Sequence, residues 1–322
     1  MPVLSGDNPA DVRRAAHLLT SGELVAFATE TVYGLGARAD DDAAVARIYA
    51  AKGRPAGHPL IVHVADAAAA RHFASTLNGP AQRLIAAFWP GPLTVIVPRA
   101  LGRGAAAAGG QDSIGLRMPA HPVALALLRE AAALGVPGVA APSANRFGRV
   151  SPTTAAHVVQ EFGSSLVVLD GGACDIGIES AIVDCTRAQP ALLRPGQLGR
   201  QRIEAALGTA LAAPDASSPR ASGTLASHYA PSVPVRLFDA SSLPPAVAEA
   251  GRVLGVYSRL PLAAGAAWLH RAMPADPAIV AHELFAVLRE FDAAGVSAIW
   301  VERPPSGPEW EGVRDRLQRA AA

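Results

Sequence analysis

Short apolar runs alternate with amphipathic stretches along the first two thirds of the chain. Residues 24–28, 60–64, 93–97, 113–118, 139–141, 166–170, 181–184 and 191–194 read as strands. Between them, apolar positions recur at helical spacing over 67–73, 80–88, 122–134, 153–162 and 198–207. Cap residues sharpen the boundaries. Asn8 followed by Pro9 opens a helix that Gly22 stops, and Asp40 to Asp42 cap a second that ends near Lys52. Gly135 lies just beyond the helix over 122–134. The alternation predicts an α/β fold, a mixed sheet with helices covering it.

From 208 to 234 the pattern dissolves into Ala, Pro, Ser and Gly, which marks a linker. Beyond it, strands over 235–238, 253–257 and 298–301 alternate with a helix over 277–291 and a terminal helix from Pro308. That is a second, smaller Rossmann-like unit. It lacks a G-x-G-x-x-G turn, so nothing marks it as a dinucleotide binder. The expected organisation is a first domain over 1–208, a linker over 209–233 and a C-terminal domain over 234–322. No internal repeat is visible.

Composition narrows the classes. A length of 322 residues suits two domains, and 50% hydrophobic content is ample for their cores. A net charge of +1 gives no global polyanion signal. The start of the chain lacks the charged and apolar regions of a signal peptide, and no apolar stretch reaches membrane-spanning length. Cys174 and Cys185 make neither a disulfide framework nor a zinc motif, so they read as reduced thiols of a cytoplasmic protein.

Four strand-end loops carry polar residues that a core would not want. Thr29-Glu30-Thr31-Val32-Tyr33-Gly34-Leu35-Gly36 offers two hydroxyls and two glycines that let a backbone approach a ligand. Lys52-Gly53-Arg54-Pro55 places two cations one residue apart, suited to a triphosphate, followed by His58 and His63. Of the 28 Lys and Arg residues Lys52 is the single lysine, a compact charge where the chain otherwise uses planar forks. On a loop it would contribute little to the core, and its substitution would leave thermal stability unchanged. Ser143 and Asn145 alternate on extended backbone and so share a face, while Ser151-Pro152-Thr153 reads as a helix cap and an anion seat. Arg194-Pro195-Gly196 follows a strand. Arg117 sits inside an apolar strand, where its charge must find a partner, an anionic ligand being one candidate. No Walker P-loop, G-x-S-x-G elbow or obvious carboxylate pair occurs.

Taken together, T-E-T-V-Y-G-L-G, the K-x-R of Lys52 and Arg54, P-G-P-L-T at Pro90 to Thr94, the S-x-N of Ser143 and Asn145 and the late R-P-G resemble the Sua5/YrdC/YwlC family, in order across 10–208. The linker Ser227-His228-Tyr229-Ala230-Pro231 and the small unit after it look like the longer Sua5 branch. Ala28 and Ala181 depart from the family's usual proline and threonine, and Ser218 to Thr224 departs from its usual linker form.

The resemblance implies that the mixed sheet is twisted and open, that the domain over 1–208 is catalytic and that the linker over 209–233 is an active-site lid. The activity it implies is that of an L-threonylcarbamoyladenylate synthase, a nucleotidyltransferase. It would condense L-threonine, bicarbonate and ATP, release pyrophosphate and feed N6-threonylcarbamoyladenosine modification of tRNA through a downstream transferase machinery. It implies that Lys52, Arg54, Ser143 and Asn145 hold the nucleotide phosphates as the catalytic set. His58, Ser113, Ser151 and Arg194 would line the ATP site, with His228 or Tyr229 reaching in from a lid. Thr31, His63, Arg117, Ala141 and Ser180 match positions that hold threonine or its carbamate. Mg²⁺ would arrive with ATP, with no protein metal site. Weak binding of tRNA or double-stranded RNA is the rival from another class, and a carbamoyl-transfer enzyme on the same domain is a second. The near-neutral charge argues against the first, and the lack of zinc-finger or acylphosphatase segments argues against the other.

Overall fold

A computed structural model describes residues 3–250, 253–261 and 268–322. Met1 and Pro2, which open the segment read for a targeting signal, lie outside them.

The first unit runs β1 (Val3–Ser5), α1 (Pro9–Thr20), β2 (Val25–Phe27), β3 (Gly34–Arg38), α2 (Asp42–Lys52), β4 (Ile61–His63), α3 (Ala70–Phe73) and α4 (Gly79–Phe88). It continues with β5 (Leu93–Pro98), β6 (Ser113–Arg117), α5 (Pro122–Ala133), β7 (Val139–Ala140), α6 (Ala155–Phe162), β8 (Val167–Asp170), β9 (Ala181–Asp184), β10 (Ala191–Arg194) and α7 (Arg200–Leu207). Its ten strands form one mixed sheet in the order β1-β8-β2-β3-β7-β4-β6-β5-β9-β10. The second unit runs β11 (Val235–Phe238), α8 (Leu243–Ala248), β12 (Leu254–Ser258), β13 (Trp268–Ala272), α9 (Pro277–Ala293), β14 (Ala298–Glu302) and α10 (Glu311–Ala320). Its four strands are parallel, in the order β11-β14-β12-β13.

The caps act as the sequence predicts. The Asn8 side chain accepts from the Ala10 amide at the start of α1, and the Asp41 carboxylate from the Ala43 and Ala44 amides at the start of α2. Gly53, in the left-handed region at φ 63°, ends α2 immediately after Lys52. One cap differs. The cap of α6 is Thr154, whose hydroxyl accepts from the His157 amide, not the Ser151-Pro152-Thr153 segment.

Two strands of the first unit escape the pattern. β3 spans Gly34 to Arg38, and its glycines mute the apolar signal. A side chain at Gly36 would stand 2.8 Å from the Phe27 ring and 2.9 Å from Val139, so this glycine serves sheet packing, not a ligand. β1 is a three-residue edge strand on β8. In the second unit α8 and β13 were likewise not legible.

One face of the large sheet packs on α1 and α5 through Val12, Leu19, Leu127 and Leu128. Ile48, Leu84, Ile85 and Ile203 of α2, α4 and α7 belong to the other main core cluster. The core of the second unit is shared. Leu284, Phe285 and Leu317 cluster with Val32, Val150 and Ile178 of the first unit and with Tyr229 of the linker. The linker is therefore buried around Tyr229, where it meets both units, while much of the rest of it is exposed. No helix among the described residues is long and apolar enough to cross a membrane.

Candidate active site

The site forms where the ends of β4, β6 and β9 meet the loops after β2, α2, β7 and β10. Pairing of β4 with β6 sets His63 opposite Arg117. Arg117 is 3% exposed, donates from Nη1 to the Thr31 hydroxyl at 2.9 Å and lies 2.7 Å from Glu30 in an ion pair. The partner demanded by this buried charge is thus first a carboxylate of the chain itself. His63 is held against Phe27, ring edge to face. Burial, and then the Arg117 guanidinium, lower its pKa to about 3, so the imidazole is neutral near pH 7. The Thr31 loop is pinned from within. The Thr29 hydroxyl accepts from the Thr31 and Val32 amides and donates to the Val32 carbonyl.

Ser180 precedes β9, and its hydroxyl lies 2.8 Å from that of Thr94. Arg194, at the end of β10, donates from Nε and Nη2 to the Ser180 carbonyl and from Nη1 to the Ser222 carbonyl of the linker. It is 2% exposed, unlike the solvated arginine that its turn alone suggests, and burial lowers its pKa. Arg54 donates to the Pro59 carbonyl and lies over the Phe147 ring at 5.6 Å. Burial brings its pKa to about 10, which leaves it charged at neutral pH.

Lys52 is the last residue of α2, not a loop residue, and it is buried. Its ammonium donates to the carbonyls of Ser143, at 2.6 Å, and Asn145. Burial, then the charge of Arg54, push its pKa well below the usual lysine value. Lys52 therefore braces the S-x-N loop from behind. Asn145 also departs from expectation. The chain bends after Ser143, and Asn145 Nδ2 donates to the Arg146 and Arg149 carbonyls of its own loop. Ser143 and Asn145 do not share a face.

Thr31, His63, Arg117, Ala141 and Ser180 line one cavity with Arg54, Ser143, Arg194, His228 and Tyr229. Lys52 and Asn145 stand behind its wall. Ser113 lies in an adjoining cavity with Gln111, Arg220 and Ala221, beyond a partition of Ile61 and Ser222. His58 is half-buried against Phe147, outside both. Ser151 is fully buried and donates to Glu179 Oε1 at 2.5 Å, so it is no open anion seat.

The linker roofs the cavity. Tyr229 has φ 65°, a left-handed conformation rare for a side chain of this size, and stacks on Phe285 of α9. His228 packs against Phe147 and Tyr229, and burial lowers its pKa to about 3. Gly223 passes so close that a Cβ would stand 2.3 Å from the Tyr229 hydroxyl and 2.8 Å from Arg194 Nη1.

Several buried polar atoms here lack a hydrogen-bond partner in the protein: Arg54 Nε, His63 Nδ1, Asn145 Oδ1, His228 Nδ1 and Tyr229 Oη. Native interiors rarely leave such groups unmatched, so their clustering fits a polar ligand. Arg54, Arg117 and Arg194 give that ligand an anionic character. Sequence reasoning missed Glu30 and Glu179 as site residues, although each adjoins a residue it did name. Glu179 and Glu30 do not pair with each other. Each has its own arginine, Arg316 and Arg117. Among the described residues no group of three or more His, Cys, Asp or Glu is arranged to hold a metal, and both cysteines are free and buried.

The chain matches known proteins over nearly its whole length. Residues 17–196 match the Sua5–YciO–YrdC family profile, described as "Telomere recombination". Residues 198–322 match that of the "Threonylcarbamoyl-AMP synthase, C-terminal domain". The threonylcarbamoyl-AMP synthase of Bacillus subtilis is 38% identical over 98% of this chain and 94% of its own. That of Pyrococcus abyssi is 37% identical over 96% and 94%. The crystal structure of P. abyssi Sua5 complexed with L-threonine superposes with a TM-score of 0.88 at 35% identity, covering 98% of this chain and 95% of that one.

Proposed function

The chain belongs to the Sua5–YciO–YrdC family, and we propose that it is a threonylcarbamoyl-AMP synthase that joins L-threonine, bicarbonate and ATP and releases pyrophosphate. The observation that carries this reading is the cavity under the linker, lined by three arginines and several unmatched polar atoms. Arg117, Thr31, His63 and Ser180 suit an amino acid, the guanidinium facing its carboxylate. Arg54, Arg194 and the half-buried Ser143 suit phosphates, and the bonds from Arg194 to Ser180 join the two groups.

In this reading the threonine ammonium gives up a proton to the medium, and the free amine and bicarbonate give a carbamate and water. A carbamate oxygen then attacks the α-phosphorus of ATP as pyrophosphate leaves. The protein's main part is alignment and charge neutralisation. His63 stays neutral and offers a polar contact without adding charge. Arg54 and Arg194 meet the charge that builds on the departing pyrophosphate. Lys52 holds Ser143 in position by its main chain. Mg²⁺ enters as part of the nucleotide substrate. The closed linker keeps water from the adenylate, which hydrolyses readily. The product serves tRNA modification through a separate transferase in the cytoplasm. Incubation with radiolabelled bicarbonate tests the proposal: label should enter a nucleotide product only when ATP and L-threonine are both present. Label-free product under those conditions would refute it.

A further inference from the structure

The C-terminal unit reaches the wall of the site through Arg316. Arg316 of α10 is 0% exposed, although α10 carries five charged residues and its sequence reads as a solvated helix. Its Nε donates to Glu179 Oε2 at 2.8 Å, Nη2 to the Glu179 carbonyl at 3.1 Å and Nη1 to the Pro195 carbonyl at 2.9 Å. Its guanidinium carbon stands 5.4 Å from the Tyr229 ring centre. One arginine thus touches the loop before β9, the R-P-G loop after β10 and the roof. Asp315 accepts from both Arg316 and Arg319, and the Arg319 carbonyl takes the His228 amide, so the same helix also holds the roof's main chain. Gly312 lets α10 come this near, since a Cβ there would sit 3.0 Å from the Gly196 carbonyl.

Glu179 needs such a partner. It is 6% exposed, lines the cavity and lies next to Ser180, which Arg194 grips. Burial alone would raise its pKa. The charges of Arg316 and Arg194 and the Ser151 hydroxyl outweigh burial and hold it at about 2, ionised. An ionised carboxylate in the wall of a phosphate site repels its ligand unless its charge is cancelled.

We propose that Arg316 is a positioning residue of the synthase site: it cancels the charge of Glu179 toward the incoming nucleotide and fixes the Glu179–Ser180 loop against the roof. The proposal rests on the synthase reading, and it assigns the C-terminal domain a part in nucleotide binding that acts through Glu179. A role in packing alone would make α10 a support that any side chain of similar volume could serve.

Calorimetry of ATP binding, beside turnover and melting temperature, separates these roles for R316M, R316K and the double variant E179Q/R316M. We expect R316M to weaken ATP binding by about tenfold or more, because it leaves a buried carboxylate uncompensated. R316K, which keeps the charge, should stay within about threefold of the parent, with a larger loss in kcat because lysine cannot hold both carbonyls in a fixed fork. E179Q/R316M removes both charges and should recover ATP affinity to within about threefold. A folded double variant that binds ATP as weakly as R316M overturns the proposal, as does R316M with the parent's affinity. Should R316M not fold, the double variant and R316K decide by the same limits. If the parent binds ATP but forms no threonylcarbamoyl product, the synthase reading fails while the ATP affinities still judge Arg316.

Discussion

His63 and Arg117 are register partners on adjacent parallel strands, and burial, together with the neighbouring guanidinium, keeps the imidazole neutral. The same Arg117 is tied to Glu30 and Thr31. A threonine carboxylate would therefore meet a guanidinium already oriented by the chain.

Arg117→Ala should weaken L-threonine binding by about 2–4 kcal/mol while changing ATP affinity far less. It should also destabilise the fold by about 3–5 kcal/mol, since Glu30 is left as an unpaired buried charge. Adding Glu30→Gln should return part of the stability without returning threonine affinity. Titration calorimetry and urea unfolding measure the two effects. A folded variant with undiminished threonine affinity would reject the assignment.

The position of Lys52 changes what its substitution should do. A loop lysine would be thermally silent, but this one donates to two main-chain carbonyls inside the protein. Lys52→Ala should cost about 1–3 kcal/mol for each carbonyl left without a donor, so the melting temperature should fall together with turnover. Lys52→Arg should not restore turnover, because a planar fork cannot enter a space shaped for one ammonium. A fully active, fully stable Lys52→Arg protein would leave the chain's single lysine without a role.

Stability should fall as the medium is acidified, in two overlapping stages. His63 and His228 have folded pKa values of about 3 against 6.5 for the free side chain. Between those values the unfolded chain binds protons that the folded one refuses, so each costs up to about 1.4 kcal/mol per pH unit below 6.5. Glu179 has a folded pKa of about 2 against 4.5. Its stabilisation is present above 4.5 and is lost as pH falls toward 2. Urea midpoints at intervals from neutral pH down to pH 4 should decline, and His63→Gln should flatten the decline. A midpoint constant over that range would contradict the buried, neutral histidines.

Cutting the chain after Gly208 should lower stability as well as abolish turnover. The first unit has its own large core, but Val32, Val150 and Ile178 belong to the core shared with Tyr229 and the second unit. Truncation bares them and removes Arg316 from Glu179. Differential scanning calorimetry should show the fragment melting below the full chain. Equal melting with full turnover would show the second unit to be dispensable.

How much of this could be read in the sequence follows the range of the interactions. Caps such as Asn8 and Asp41 and fully apolar strands such as β2 act locally and were legible. The glycine-rich β3 was not, because its packing is decided by Phe27 and Val139 from other strands. The site loops were legible as motifs, yet what several residues do there was not. Ser151 meets Glu179, Lys52 meets the Ser143 loop and Arg316 meets Glu179 across 137 residues. Nothing near Arg316 in the chain distinguishes it from the partly exposed arginines of the same helix.

Pyrophosphate release measured with each substrate omitted in turn tests the central claim most directly. Turnover should require ATP, L-threonine and bicarbonate together, and removal of either threonine or bicarbonate should reduce it to the rate without enzyme. Pyrophosphate released at an equal rate without threonine would contradict the account, because the Arg117 end of the cavity would then serve some other chemistry.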